Sequence, residues 1–181
     1  DEGDHYRVSG RWQWGSGSAN CTWLCGGCTI WENGEMKRLP SGAPDARMMV
    51  FPASDATLHD TWHVMGLKGT GSGDIEVKDI RVPKARSVSL VSDEPYEKGP
   101  LFKFPAFGLL SLGVCAVALG NTRGSLDAFA ALATAKKSQG SSKTLSERQT
   151  MQAEFARCEA AWRAARAYLF DEIDQTWAVA T

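Results

Sequence analysis

Two rhythms of apolar and polar residues divide the chain. Through residue 98 the pattern is short and close to period two, which suits strands with one buried face. His5 to Trp14 alternates, Thr22 to Trp31 is an apolar run, and Arg47 to Pro52 reads as a short buried strand. Trp62 to Leu67 and Asp74 to Val82 follow as strands; the second alternates Ile75, Val77 and Ile80 with a slip that marks a β-bulge, and Pro83 ends it. Glu32-Asn33-Gly34-Glu35 suits a tight hairpin turn, because Asn and Gly accept positive φ. Beyond residue 99 the apolar positions recur every three or four residues. One helix is predicted from about Pro105 to Lys136, with small residues at Gly113, Ala116, Gly120 and Gly124 that would let another helix approach closely. A second runs from near Ser146 to about Ala178, with the stripe Met151, Phe155, Cys158, Trp162, Ala165, Leu169, Ile173 and Trp177. Two such helices cannot bury their stripes alone and call for further helices, from the same polypeptide or a partner subunit.

Composition sharpens the division. Residues 1–99 hold 13 of the 18 glycines and six alanines, whereas residues 100–181 hold 17 alanines and no proline after Pro105. Turn formers suit joined strands, and alanine without proline suits long helices. The fold class is therefore α+β: an antiparallel β-barrel or sandwich over 1–98, then a helical domain over 99–181. Twenty Lys+Arg against 21 Asp+Glu leave no basic excess for binding nucleic acid by charge. The longest apolar stretch, Phe107 to Gly120, falls short of the ~20 residues of a membrane span. No secretory signal is evident and the five cysteines are odd in number, so reduced thiols and a cytoplasmic location are expected. A start at Asp1, without Met, suggests part of a longer polypeptide.

Four motifs could carry chemistry. Cys21-x-x-x-Cys25-x-x-Cys28 has the spacing of a three-thiolate iron–sulfur loop, but its flanks read as strand, which favours small buried residues. His59-x-x-x-His63 has metal-ligand spacing, but it lies between strands and has no evident third ligand, so no metal site is expected. Gly69-Thr70-Gly71-Ser72-Gly73, after Lys68, is a glycine-rich loop that could cradle a phosphate or approach a flat ring; no helix follows, so it is not the dinucleotide fingerprint, and a plain hairpin turn explains it as well. Trp12-Gln13-Trp14-Gly15-Ser16-Gly17 joins aromatic rings to a small hydroxyl-bearing turn. A Ser–His–Asp triad finds no support, because no Gly-x-Ser-x-Gly lies between a strand and a helix.

The order of these pieces resembles the acyl-CoA dehydrogenase superfamily. The resemblance rests on Val8 to Gly17, Asp60 to Ser72, Asp79 to Pro83, Phe104 to Leu110 and Leu145 to Glu154. The nearer branch is the oxygenase component of two-component, reduced-flavin-dependent aromatic hydroxylases, with Trp14 where that branch usually has Phe and Lys68 where it usually has Arg. The resemblance implies a central β-domain and the first two helices of a C-terminal four-helix bundle, in a tetramer or dimer assembled through the helical half. It implies reduced FMN, with FAD as the alternative, reacting with O2 to a C4a-hydroperoxide that hydroxylates a phenolic or other aromatic ring. A separate reductase would supply the reduced flavin. Ser16 would act at the flavin N5 region, Trp12 and Trp14 would wall the ring with Gly15 and Gly17, and Lys68, Gly69, Thr70, Gly71 and Ser72 would form a second wall. Lys137, or its neighbour Lys136, would meet cofactor phosphates. A dehydrogenase-like FAD oxidoreductase and a non-catalytic oligomerising segment are the competing expectations.

Overall fold

A computed structural model describes residues 1–181. The chain divides into two compact units, Asp1–Glu94 and Pro95–Thr181. The first is all β. Strand β1 (His5–Trp12) pairs antiparallel with β7 (Asp74–Pro83), and β6 (Thr57–His59) takes the other edge of β7. A second sheet sets β5 (Ala46–Pro52) between β2 (Trp23–Thr29) and β8 (Ser87–Val88). The two-residue strands β3 (Trp31–Glu32) and β4 (Glu35–Met36) close a hairpin in which Asn33 (φ 52°) and Gly34 (φ 82°) both sit at positive φ, as the Asn-Gly pair requires. Two separate three-stranded sheets mean a sandwich and not a closed barrel.

The two sheets share one core. Tyr6, Val8, Ile75, Val77 and Val82 come from the first sheet and Leu24, Met49 and Phe51 from the second. Trp12 ties the sheets together. Its ring stacks on Phe51 at 5.9 Å between centroids, and its Nε1–H donates to the Gly27 carbonyl at 2.9 Å. Only glycine fits beneath that ring: a Cβ at Gly26 would lie 2.4 Å from it. The slip read in Asp74–Val82 is a bulge opposite Val8 and Gly10, where Asp79 adopts φ 54° and its N–H donates to Ser9 Oγ at 2.8 Å.

One strand expectation fails. Residues 62–67 are not a strand; β6 lies earlier, at Thr57–His59, and occupies the place beside β7. The stretch instead folds back on itself, with Trp62 Nε1–H donating to the Leu67 carbonyl at 3.0 Å and Leu67 at φ 56°. On β2, Cys25 and Cys28 stand three residues apart and so on opposite faces, which keeps their thiols from converging while the strand is formed. Burial pushes the Cys28 thiol pKa up, away from a metal-binding thiolate.

The second unit is helical. Helix α1 (Ala106–Ala135) and helix α2 (Gln149–Ala180) are joined through a short 3-10 turn, Leu145–Glu147. A capping box starts that turn: Thr144 and Glu147 satisfy each other's backbone N–H, which is why α2 begins after Glu147 and not at Ser146. The helices meet through a stack of Phe129 on Phe155 at 6.0 Å. Trp162 Nε1–H donates to the Leu119 carbonyl at 2.9 Å, and Arg123 pairs with Glu159 at 2.6 Å. The α2 stripe is covered only where α1 reaches it. Met151, Phe155, Trp162, Leu169 and Ile173 are half-buried, while Cys158, Ala165 and Trp177 are exposed and Glu159 takes a half-buried place because Arg123 faces it. The small-residue stripe is no contact within this unit, since a Cβ at Gly113, Gly120 or Gly124 would meet nothing within 4 Å. On α1, Phe107, Leu110, Val114 and Val117 form a second apolar face that this chain leaves uncovered. The helix is 30 residues long and apolar enough that by length and composition it could cross a bilayer, which the 14-residue run alone did not reveal.

Candidate functional site

Two loops of the β unit converge, one leaving β1 and the other entering β7. In the first, Trp14 adopts φ 64°, which turns the chain out of the strand direction and leaves its ring 73% exposed. Gly17, also left-handed, starts the 3-10 turn Ser18–Asn20. In the second loop, a 3-10 turn over Lys68–Thr70 runs between Leu67 and Gly71, both at positive φ. Backbone bonds fasten the loops together: Gly15 N–H donates to Gly73 O at 2.9 Å, and Gly17 N–H to Thr70 O at 2.8 Å. The second loop also presses on β6 closely enough to demand glycine. A Cβ at Gly73 would lie 2.2 Å from the His59 carbonyl oxygen.

Side chains complete the join. Ser16 Oγ lies 2.7 Å from Ser72 Oγ, which lies 2.7 Å from Thr70 Oγ1, and Thr70 Oγ1 donates to the Leu67 carbonyl at 2.8 Å. Ser72 is buried, Thr70 half-buried and Ser16 exposed, so the row of hydroxyls passes through the interior of the loops at Ser72 and reaches the surface at Ser16. Leu67, whose carbonyl ends the row on the Thr70 side, is 78% exposed. Lys68, at the start of the 3-10 turn, is exposed.

The structure thus brings Trp14, Gly15, Ser16 and Gly17 together with Lys68, Gly69, Thr70, Gly71 and Ser72, pieces 50 residues and more apart in the chain. The Trp12 ring stacks on Phe51 and bonds the Gly27 carbonyl between the sheets, while Trp12 also lines one cavity with Arg11, Gln13, Trp14 and Asp74. Lys137 belongs to the helical unit, on an isolated bridge to Thr144 between α1 and α2. Sequence reasoning missed Asp74. This buried carboxylate accepts from Thr61 Oγ1 at 2.8 Å and from Arg11 Nε at 2.9 Å, and so pins the strand that follows the second loop. Its only sequence signal was its place at the head of the alternating run.

Asp74 makes the β unit acid-sensitive. Donation from Thr61, and then the Arg11 guanidinium, hold its pKa below the ordinary carboxylate value against the opposing effect of burial. A pKa lower in the folded than in the unfolded state gives stability that is complete above the unfolded value of about 3.9 and is lost as pH falls through the folded one. The thermal midpoint of the β unit should therefore fall on acidification below about pH 4. Asp74→Asn should lower the midpoint at neutral pH and flatten that acid limb. Parallel pH profiles for parent and variant would remove Asp74 from the account.

Comparison with known proteins decides the family. The acyl-CoA dehydrogenase C-terminal domain matches residues 112–181. Over 94% of its length the chain is 34% identical to an indole-3-acetate monooxygenase of Acinetobacter baumannii, of which it covers 42%. Residues 112–181 belong to the acyl-CoA dehydrogenase C-terminal domain family. Its match takes in most of α1, which is accordingly a helix of this domain. The monooxygenase side of the family is also represented by the flavin-dependent monooxygenase, oxygenase subunit HsaA, of Mycobacterium tuberculosis, 31% identical over 55% of this chain and 25% of that protein. The acyl-CoA dehydrogenase-like fold is seen again in XiaF from Streptomyces sp., solved in complex with FADH2 and glycerol. That structure superposes on all of this chain and 47% of its own length with a TM-score of 0.79 at 23% identity. The chain thus spans less than half the length of these relatives.

Proposed function

We propose that this chain carries the flavin-binding face of the oxygenase component of a two-component monooxygenase that hydroxylates an aromatic ring. The observation that carries the reading is the fastening of the Trp14–Gly17 loop to the Lys68–Gly73 loop, with an exposed ring and a hydroxyl at their junction. The relatives named as flavin-dependent and indole-3-acetate monooxygenases support it.

The residues present fit a reduced flavin. A flat heterocycle needs an exposed aromatic face, a polar group at its ring nitrogen and a cation for its phosphate, and Trp14, Ser16 and Lys68 are of those types. When bound, the flavin would supply activation of O2 and transfer of one oxygen atom to the substrate ring, and a separate reductase would deliver it already reduced. The chain's own part is to bind and to shield. Trp14 covers one face and keeps water from it, Ser16 holds a hydrogen bond at the N5 region, and Lys68 draws the phosphate. The Gly15–Gly73 and Gly17–Thr70 bonds keep these groups in register. A bicyclic aromatic acid is the first substrate class to try, since the indole-3-acetate monooxygenase is 34% identical over 94% of this chain.

Ser16→Ala tests the reading in the full natural protein. One lost hydrogen bond should weaken reduced-flavin binding about three- to tenfold, measured by anaerobic titration. The share of consumed oxygen released as hydrogen peroxide should rise. Unchanged affinity together with an unchanged peroxide share would overturn the assignment.

A further inference from the structure

We infer that the Thr70–Ser72–Ser16 hydroxyl row is polarised in one direction and makes Ser16 a hydrogen-bond acceptor that selects reduced over oxidised flavin. The inference rests on the placement of flavin N5 at Ser16 proposed above.

A serine or threonine hydroxyl has one proton to donate and two lone pairs to receive with. The row has three hydroxyls and ends on a group that can only accept. Thr70 Oγ1 donates to the Leu67 carbonyl at 2.8 Å, so its proton is spent there. The 2.7 Å contact between Thr70 and Ser72 can then form only if Ser72 donates to Thr70. The 2.7 Å contact between Ser72 and Ser16 in turn needs Ser16 to donate to Ser72. Three protons serve three bonds, and every other arrangement loses at least one of them. Ser72 is 4% exposed, so water does not readily take the place of a lost partner. The Leu67 carbonyl also accepts from the Trp62 indole N–H and the Thr70 backbone N–H, at 3.0 and 3.2 Å, and it can only accept.

Exposed Ser16 therefore has its proton turned inward and offers lone pairs outward. Reduced flavin carries an N–H at N5 and needs an acceptor there. Oxidised flavin has a bare lone pair at N5 and needs a donor. The row meets the first requirement and opposes the second, before any flavin arrives. Thr70 and Ser72 are thus positioning residues that set the redox preference through Ser16. An oxygenase component fed by a separate reductase gains from this, since spent oxidised flavin is held less firmly than the incoming reduced form.

The test is a pair of titrations on the full natural protein, with oxidised and with reduced FMN, in the parent and in Thr70→Val, Ser72→Ala and Thr70→Ser. Thr70→Val keeps the side-chain shape and every backbone bond but removes the anchor of the row. The Ser72 proton can then turn toward Ser16, and Ser16 can donate outward. Oxidised FMN should bind more tightly while reduced FMN changes little, so the preference for the reduced form falls about five- to tenfold. The midpoint potential of bound flavin should drop by about 20–30 mV with it. Ser72→Ala should act in the same direction, and Thr70→Ser, which restores the anchor, should return the parent ratio. If the parent binds reduced FMN and all three variants keep its ratio, the polarity inference is wrong and the flavin site stands. If the parent binds FMN in neither redox state, the flavin reading fails and takes this inference with it.

Discussion

Gly73→Ala should dismantle the candidate site. The new Cβ would sit 2.2 Å from the His59 carbonyl oxygen, a contact with backbone and not with a side chain that can swing away. Either β6 or the loop must move. Movement of the loop pulls Gly73 O from the Gly15 N–H and draws Ser72 away from Ser16. Overpacking of this kind costs about 3 kcal/mol, which lowers the thermal midpoint of a unit this size by about 12 °C or more. Flavin binding should be lost even at temperatures where the strands persist. Thermal unfolding followed by circular dichroism, with a flavin titration well below the midpoint, checks both parts. A variant that melts and binds like the parent would show that the two loops are not held as described.

The second large effect separates two tryptophans that lie two residues apart. Trp12→Ala should cost about 3 kcal/mol, because the ring bridges Phe51 and the Gly27 carbonyl between the sheets. Trp14→Ala removes a ring that is 73% exposed, so its effect on stability should stay within about 0.5 kcal/mol. It should instead weaken reduced-flavin binding about tenfold, the scale of one lost aromatic face. Melting and anaerobic titration of both variants in the full natural protein give a crossed pattern. If Trp12→Ala lost flavin without losing stability, while Trp14→Ala melted early, the assignment of the two rings would be reversed.

That pair also shows where the sequence was legible and where it was not. Period two puts Trp12 and Trp14 on one face, and both read as walls of a flat cofactor. The strand ends at Trp12, however, and at the positive φ of Trp14 the second ring stands exposed while the first packs on Phe51. A single backbone dihedral, set by how the loop is fastened to one 50 residues away, decided it. The two long helices and the Asn33-Gly34 turn were readable because their signals are local: helix periodicity, and two residues that tolerate left-handed backbone. The strand expected over residues 62–67 was not, because apolar composition alone does not say which segment will win the edge beside β7. The pairing of Ser16 with Ser72 spans 56 positions, and no periodicity carries it. Only the resemblance of motif order placed those residues in one site, and the direction of their hydrogen bonds is inferred from the carbonyl on which the row ends.

The two units differ in how much of themselves they bury. The β unit gathers nine buried apolar residues into one cluster, whereas in the helical unit only Leu126, Ala133 and Ala180 are buried within the two long helices. Amide hydrogen exchange on this chain should therefore be two-toned. Amides of β1, β2, β5 and β7 open only with the whole sheet pair and exchange slowly. Those along α1 open through local fraying and exchange orders of magnitude faster, despite unbroken helical hydrogen bonding. Any partner that covers Phe107, Leu110, Val114 and Val117 would announce itself as new protection along that helix, residue by residue.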